Sequence, residues 1–216
     1  MWISNAALTL ISLGKLAVRS RPVGKWPSYS GKPAVVLGAS GSVPFQEDSA
    51  ALARLSERYE WFVTNNFIQN ALFDKLRPKH YLLMDPKFCE PEEAPGHLKD
   101  TAKATWAALV AHSEWPLELI MRRQMAHFPI VRETLRQNAN LQPVWYNHVK
   151  YRGLQQLGFW LWRRHWCSPS LPFSGNSAAF VALTRGAPEV YLLGISNSYA
   201  KYLHVDENNV TWALGA

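Results

Sequence analysis

Five short stretches of this 216-residue sequence collect small and polar side chains of the kind that hold a nucleotide. Gly38-Ala39-Ser40-Gly41-Ser42 follows the apolar run Val35-Val36-Leu37. Its backbone N–H groups and the Ser40 and Ser42 hydroxyls can hold a phosphate. Asn65 and Asn66 follow Trp61-Phe62-Val63-Thr64 and offer amide donors and acceptors to a ribose or a base edge. Asp85, after Leu82-Leu83-Met84, is the one carboxylate in these stretches, and a single carboxylate is a poor magnesium site. Gly194-Ile195-Ser196-Asn197 ends the run Tyr191-Leu192-Leu193. Ser174-Gly175-Asn176 precedes an apolar helix; Ser174 or Asn176 can cap it and leave its first N–H groups to an anion. Each stretch also reads as an ordinary turn or cap. The glycine spacing is not GxGxxG, no GKS/T follows it, and no DxD occurs, so neither a dinucleotide fingerprint nor a P-loop is supported.

The elements that must position these residues alternate. Hydrophobic periodicity predicts strands at 32–37, 61–64, 80–84, 117–121 and 190–193, with a short closing strand at 210–214. Helices are predicted at 46–58, 67–76, 101–112, 130–136 and 177–184. Strands alternating with helices imply an α/β fold, a mostly parallel central sheet with helices on both faces. In such sheets ligands sit outside the carboxyl ends of the strands, where the polar stretches fall.

The length suits one domain, at 32–216, behind an N-terminal helix and linker at 1–31. In that helix Asn5, Thr9, Ser12 and Lys15 recur at spacings of three and four, one stripe of an amphipathic helix. It packs on the domain, packs on a second subunit in a homo-oligomer, or lies on a membrane surface. No basic residue precedes its apolar part, which argues against a signal peptide. No apolar run of membrane-spanning length occurs. Cys89 and Cys167 have no metal-ligand spacing and suit a reducing, cytoplasmic compartment. The net charge of +7 is localised: residues 121–167 hold eight Lys/Arg against the single acid Glu133. Such a patch steers anions or is a solvated face.

The stretches VTNNF, YLLMDP and FSGNSAAFVALTRGAPEVYLLGIS, behind a strand that enters a small-residue loop, resemble the bacterial sialyltransferase-like proteins. That family includes small single-domain sialyltransferases and a 6-hydroxymethylpterin diphosphokinase-like group. The likeness covers residues 32–208, and its C-terminal segment is the most specific part. It implies a modified Rossmann-like sandwich and a nucleotide-sugar donor, typically CMP-linked, used without an obligate metal or other cofactor. The glycine and last serine of the family's Gly-Asn-Gly-Pro-Ser loop match Gly38 and Ser42, whereas Ala39 stands at the asparagine. Asn65 matches the donor-contacting asparagine of the second loop, and Asp85 replaces a third asparagine. Ser174 and Gly175 match the loop that meets the nucleotide, and Ser196 stands where the family commonly has an aspartate.

The resemblance implies direct displacement at the anomeric carbon. His204, ten residues past Gly194, is the base by position, since imidazole titrates near neutrality. Tyr199 and Tyr202 can donate to the leaving phosphate or pack at the sheet edge. Relatives often continue past this point, which leaves completeness at the C-terminus open. Residues 144–167 hold Trp145, Trp160, Trp162 and Trp166 beside Lys150, Arg152, Arg163 and Arg164. With Trp160, Arg163 and Arg164 this is the composition of a lid for a glycan or lipid-linked glycan acceptor, of a membrane contact, or of a core helix with buried indoles. No nucleic-acid-binding module is recognisable. Three function classes follow: a glycosyltransferase of surface-polysaccharide synthesis, a magnesium- and ATP-dependent diphosphokinase of the same fold, and a non-catalytic nucleotide- or glycan-binding protein.

Overall fold

Short apolar runs that can be buried on both faces form the strands of a parallel sheet. In the computed structural model, which describes residues 2–38, 49–94, 96–112, 114–169, 171, 173–195, 203–205 and 211–213, six such runs pair. They are Ala34–Leu37 (β1), Glu60–Thr64 (β2), His80–Leu83 (β3), Leu117–Arg122 (β4), Leu141–Tyr146 (β5) and Val190–Leu193 (β6). The order is β5-β4-β3-β2-β1-β6, and every pair is parallel. The fold is a Rossmann-like α/β sandwich, as the sequence implies. Leu203–Val205 (β7) and Thr211–Ala213 (β8) form a separate antiparallel pair.

The chain steps in one direction from β1 to β5, and right-handed crossovers then put the intervening helices on one face. These are Ser49–Arg58 (α2), Leu72–Leu76 (α3), Gly96–Ala111 (α4) and Pro129–Gln137 (α5). Val35, Leu37, Trp61, Val63, Tyr81, Leu83, Leu119 and Met121 point toward them, packing with Leu52, Phe73, Trp106 and Val131. The alternate residues Ala34, Val36, Phe62, Leu82 and Ile120 meet Ala178, Val181 and Ala182 of Ser174–Thr184 (α7) on the other face. The return from β5 to β6 crosses the whole sheet, so the direction of winding switches between β1 and β6.

Three elements differ from expectation. β5 is not among the predicted strands, since Gln142 and Pro143 interrupt its apolar run; an edge strand tolerates proline. The helix expected at 67–76 is a 3₁₀ turn, Asn65–Gln69, followed by α3, which Arg77 ends in a left-handed conformation with φ 46°. The linker at 22–32 packs on the domain: Trp26 stacks on His165 and donates its indole N–H to the Trp145 carbonyl at 2.8 Å.

The N-terminal helix Trp2–Arg19 (α1) docks on the segment that leads into Gln155–Arg163 (α6). Its buried residues are Thr9, Ser12 and Leu16, followed by Ser20 just past its end. The Ser12 hydroxyl donates to the Arg152 carbonyl at 2.7 Å and accepts from the Arg152 N–H at 2.9 Å. Thr9 accepts from the Leu154 N–H at 2.9 Å. Gly153 permits this approach, since a Cβ there would lie 2.2 Å from Thr9 Oγ1. Thr9 and Ser12 of the polar stripe therefore face inward, Asn5 and Lys15 stay exposed, and Leu10, Ile11 and Val18 face outward. Among the described residues no helix is long and apolar enough to cross a membrane.

At the amino edge of the sheet a buried chain of charges ties β2, β3, β4 and α7 together. His80 Nδ1 lies 2.8 Å from Glu118 Oε2, and Nε2 lies 2.8 Å from Glu60 Oε2. Arg185 pairs with Glu118 from the end of α7 and donates to the Pro27 carbonyl at 3.1 Å. Burial alone would raise the Glu118 carboxyl; hydrogen bonds and charge from His80 and Arg185 outweigh it and hold the group down at about 2. A depressed carboxyl stabilises the fold above its ordinary value and loses that contribution as pH falls. In urea titrations, stability should therefore hold from neutrality to near pH 4.5 and decline toward pH 2, and Glu118→Gln should flatten that decline. Glu118→Ala, which strands His80 and Arg185, should cost about 3 kcal/mol.

Candidate functional site

The carboxyl edge of the sheet gathers polar side chains from four strands and from α7. At the switch in winding, β1 and β6 run so close that a Cβ on Gly38 would lie 2.3 Å from the Gly194 carbonyl oxygen. The Gly38 N–H donates to the Leu193 carbonyl at 2.9 Å. Gly38 is small because another strand needs the space. Gly194, with φ 62°, turns the chain there, and Gly175 at the start of α7 abuts Ile195, which follows it.

β2 delivers Asn65, whose φ of 53° bends the backbone into the left-handed region that asparagine tolerates. Its Nδ2 donates to Ser174 Oγ at 2.9 Å, and its carbonyl accepts from the Tyr81 hydroxyl. Its Oδ1 is buried without a hydrogen-bond partner. Asn66 follows, half-buried, in the 3₁₀ turn. The expected cap on α7 is corrected. Ser174 and Asn176 already belong to the helix, and Phe173, at the capping position, makes no side-chain capping hydrogen bond. The Ser174 hydroxyl meets Asn65 instead, and Asn176 is exposed on the first turn. The N-terminus of an 11-residue helix presents N–H groups and a positive dipole end to an anion.

Asp85 has a local task. Its carboxylate accepts from the Lys87 N–H at 3.3 Å and caps the 3₁₀ turn Pro86–Phe88. Among the described residues no cluster of His, Cys, Asp and Glu is arranged to hold a metal ion.

β4 and β5 add residues that the sequence reading missed. Arg122 ends β4, Tyr146 ends β5, and His148 stands two residues on; Arg122 Nε, the Tyr146 hydroxyl and His148 Nδ1 are buried without well-formed hydrogen bonds. The Tyr146 hydroxyl nevertheless lies near Arg122 and Ser177, and burial pushes its ionisation up against the Arg122 charge. Burial, with Arg122 and Lys150 adding to it, holds His148 at about 4, so this imidazole is neutral at pH 7. With Asn65 Oδ1, four buried polar atoms at one edge of the sheet have no well-formed hydrogen bond among the described residues, where native interiors leave few such atoms. The signal was present in Arg122-Arg123 directly after an apolar run, but the Tyr146 and His148 positions depend on a strand that the run itself hides.

The tryptophan-rich helix lies elsewhere. Trp160 and Arg163 of α6 line a cavity of about 640 Å³ with Phe180, Leu183 and Thr184, on the last turns of α7. At 1.5 Å per residue those α7 residues lie roughly 9 to 15 Å along the helix from Ser174. α6 is not a core helix with buried indoles: Trp160 is 49% exposed, and the Arg164 guanidinium stacks 4.4 Å from its ring centroid. Ser40, Gly41, Ser42, Ser196, Tyr199 and Tyr202 lie outside the described residues; His204 is paired with Trp212 in the β7–β8 ladder. No protein-family model matches the chain, and no curated protein matches it.

Substitutions at the two fixed points separate their roles. Asn65→Ala keeps neither the amide nor the tolerance for positive φ, and should lower stability by about 1–2 kcal/mol; Asn65→Gly, which restores the backbone freedom, should cost less. Gly38→Ala should cost about 1–3 kcal/mol through overpacking. Urea midpoints check all three, and an Asn65→Gly loss equal to that of Asn65→Ala would assign the whole effect to the Ser174 bond.

Proposed function

We propose that this chain is a nucleotide-sugar-dependent glycosyltransferase similar to the bacterial sialyltransferase-like proteins, acting at the cytoplasmic side of a membrane in surface-polysaccharide synthesis. One observation carries the reading. Asn65 and Ser174, which the resemblance assigns to the donor site from two motifs 109 residues apart, meet in a direct hydrogen bond at the carboxyl edge of the sheet. They do so beside the N-terminus of α7 and the switch between β1 and β6, the place where parallel α/β sheets take nucleotides.

On this reading the donor is a CMP-linked sugar. Its phosphate faces the first turn of α7, whose N–H groups and dipole stabilise the charge that grows as the nucleotide leaves. Asn65 offers the unpaired Oδ1 to a ribose or cytosine donor group. The acceptor hydroxyl attacks the anomeric carbon, the bond to the phosphate oxygen breaks, and the hydroxyl proton passes to a base, for which His204 is the candidate. Tyr199 and Tyr202 are candidate donors to the leaving phosphate. The phosphate anchors here are backbone and neutral side-chain donors, which supports a donor site that works without an obligate metal. Trp160, Arg163 and Arg164, on the far side of α7, fit a sugar platform or a membrane contact.

Differential scanning fluorimetry with CMP, UDP, GDP and ADP, each with and without magnesium, tests the proposal. CMP or a CMP-sugar should raise the melting temperature without metal; at 100 times its dissociation constant the gain is about 2.7 kcal/mol. Asn65→Gly should fold and lose that shift. A shift seen only with ATP and magnesium would replace the glycosyltransferase with the diphosphokinase, and no shift with any nucleotide would leave the fold without catalysis.

A further inference from the structure

Next to the carboxyl ends of β4 and β5 lies a second cavity of about 640 Å³, bounded by α1. Lys15, Arg19, Arg21, Arg123 and Lys150 line it together with His127 and His148, and no carboxylate does. Five permanent positive charges around one cavity repel each other, and a multiply charged anion relieves that repulsion. His148 Nδ1, buried and unpaired, belongs to the same wall. Lys15 and Lys150 continue into an adjoining cavity with Leu8, Ile11, Ser12 and Arg152, so the cationic surface runs on along α1.

The outer face of α1 is apolar where the protein gives it nothing to touch. Leu10 is 71%, Val18 69% and Ile11 55% exposed, because the helix spends its hydroxyl-bearing stripe on the domain. On a helical wheel Ile11 and Val18 lie opposite Thr9, Ser12 and Leu16, with Lys15 and Arg19 on one flank. An apolar face flanked by cations is the pattern of a helix that lies in a bilayer interface. A second copy of this chain fits the face poorly, since it would set one cationic cavity beside another.

We infer that the cavity between α1 and the β4–β5 ends binds the phosphate of an anionic lipid headgroup while Leu10, Ile11 and Val18 enter the acyl boundary. This deepens the membrane part of the function proposed above and is independent of the nucleotide. It assigns the headgroup to this cavity and leaves Trp160 and Arg163 of α6 to a separate surface.

Cosedimentation of the full chain with phosphatidylcholine vesicles, with and without phosphatidylglycerol, tests it. Binding should require phosphatidylglycerol and weaken as salt screens the charges. Lys15→Ala/Arg19→Ala should reduce partitioning on the order of thirty-fold, at about fivefold per cation. Leu10→Asn/Val18→Asn should reduce it separately. All four side chains are exposed, so the variants should melt with the parent, and if one pair unfolds the other still decides. Absence of vesicle binding, equal binding to neutral vesicles, or indifference to both pairs overturns the inference. Calorimetric binding of inorganic diphosphate without vesicle binding assigns the cavity to a soluble phosphate instead. A concentration-dependent dimer in sedimentation velocity that Leu10→Asn/Val18→Asn dissolves assigns the face to a second copy. None of these outcomes alters the CMP shift, so failure here and failure of the donor proposal are distinguishable.

Discussion

The backbone contact between Gly38 and Gly194 is the constraint on which the carboxyl edge depends. A parallel sheet that grows in one direction from β1 has its helices on one face only, and the other face must be closed by a chain that returns to β1 from beyond. That return brings β6 against β1 and lays α7 across Val36 and Phe62. Once α7 is there, its first turn reaches Asn65, and an amide at the end of β2 meets a hydroxyl from the far end of the chain. A side chain at Gly38 would push β6 away and open the crevice that the nucleotide reading needs.

The two edges of the sheet use polarity in opposite ways. At the amino edge Glu60, His80, Glu118 and Arg185 pair with one another, although Arg185 Nε is left without a partner among the described residues, and Phe62 stacks on the imidazole at 4.2 Å. Such a chain of ionised groups in a core fixes relative position, and the cost of breaking it is high because each survivor is left buried. At the carboxyl edge the polar atoms of Asn65, Arg122, Tyr146 and His148 are held but not satisfied. One end of the sheet is fastened by its own charges, and at the other several buried donors and acceptors have no partner among the described residues.

The sequence made five of the six strands legible, because β1 to β4 and β6 are apolar runs whose boundaries coincide with turn residues. β5 is hidden by Pro143, which only an edge position allows, and with it went Tyr146 and His148. Asn65, Ser174 and Gly175 were legible as candidate site residues through their strand-end and helix-start positions and the motifs around them. Their contact was not, since nothing local in either motif refers to the other. Asp85 was legible as a strand-end carboxylate but not as the cap of Pro86–Phe88, which depends on a proline-led turn. Of the polar stripe expected on α1, Thr9 and Ser12 are buried, whereas Asn5 and Lys15 are exposed. Which way the helix faces was decided by the free carbonyl and N–H groups of residues 152–154, which no hydrophobicity pattern contains.

The attachment of α1 differs in kind from that of the other helices. Their grip is buried hydrocarbon; that of α1 is a few directional bonds to backbone around a single leucine, Leu16. Hydrocarbon burial supplies the heat-capacity change of unfolding, and hydrogen bonds supply little of it. The joint between α1 and the sandwich therefore has a flat temperature response, set by water's competition for the hydroxyls of Thr9 and Ser12. It can open locally while the sheet beneath keeps its cooperative stability. The N-terminal helix is a separately releasable layer, seated by geometry at Gly153 rather than by the general tendency of apolar surfaces to leave water.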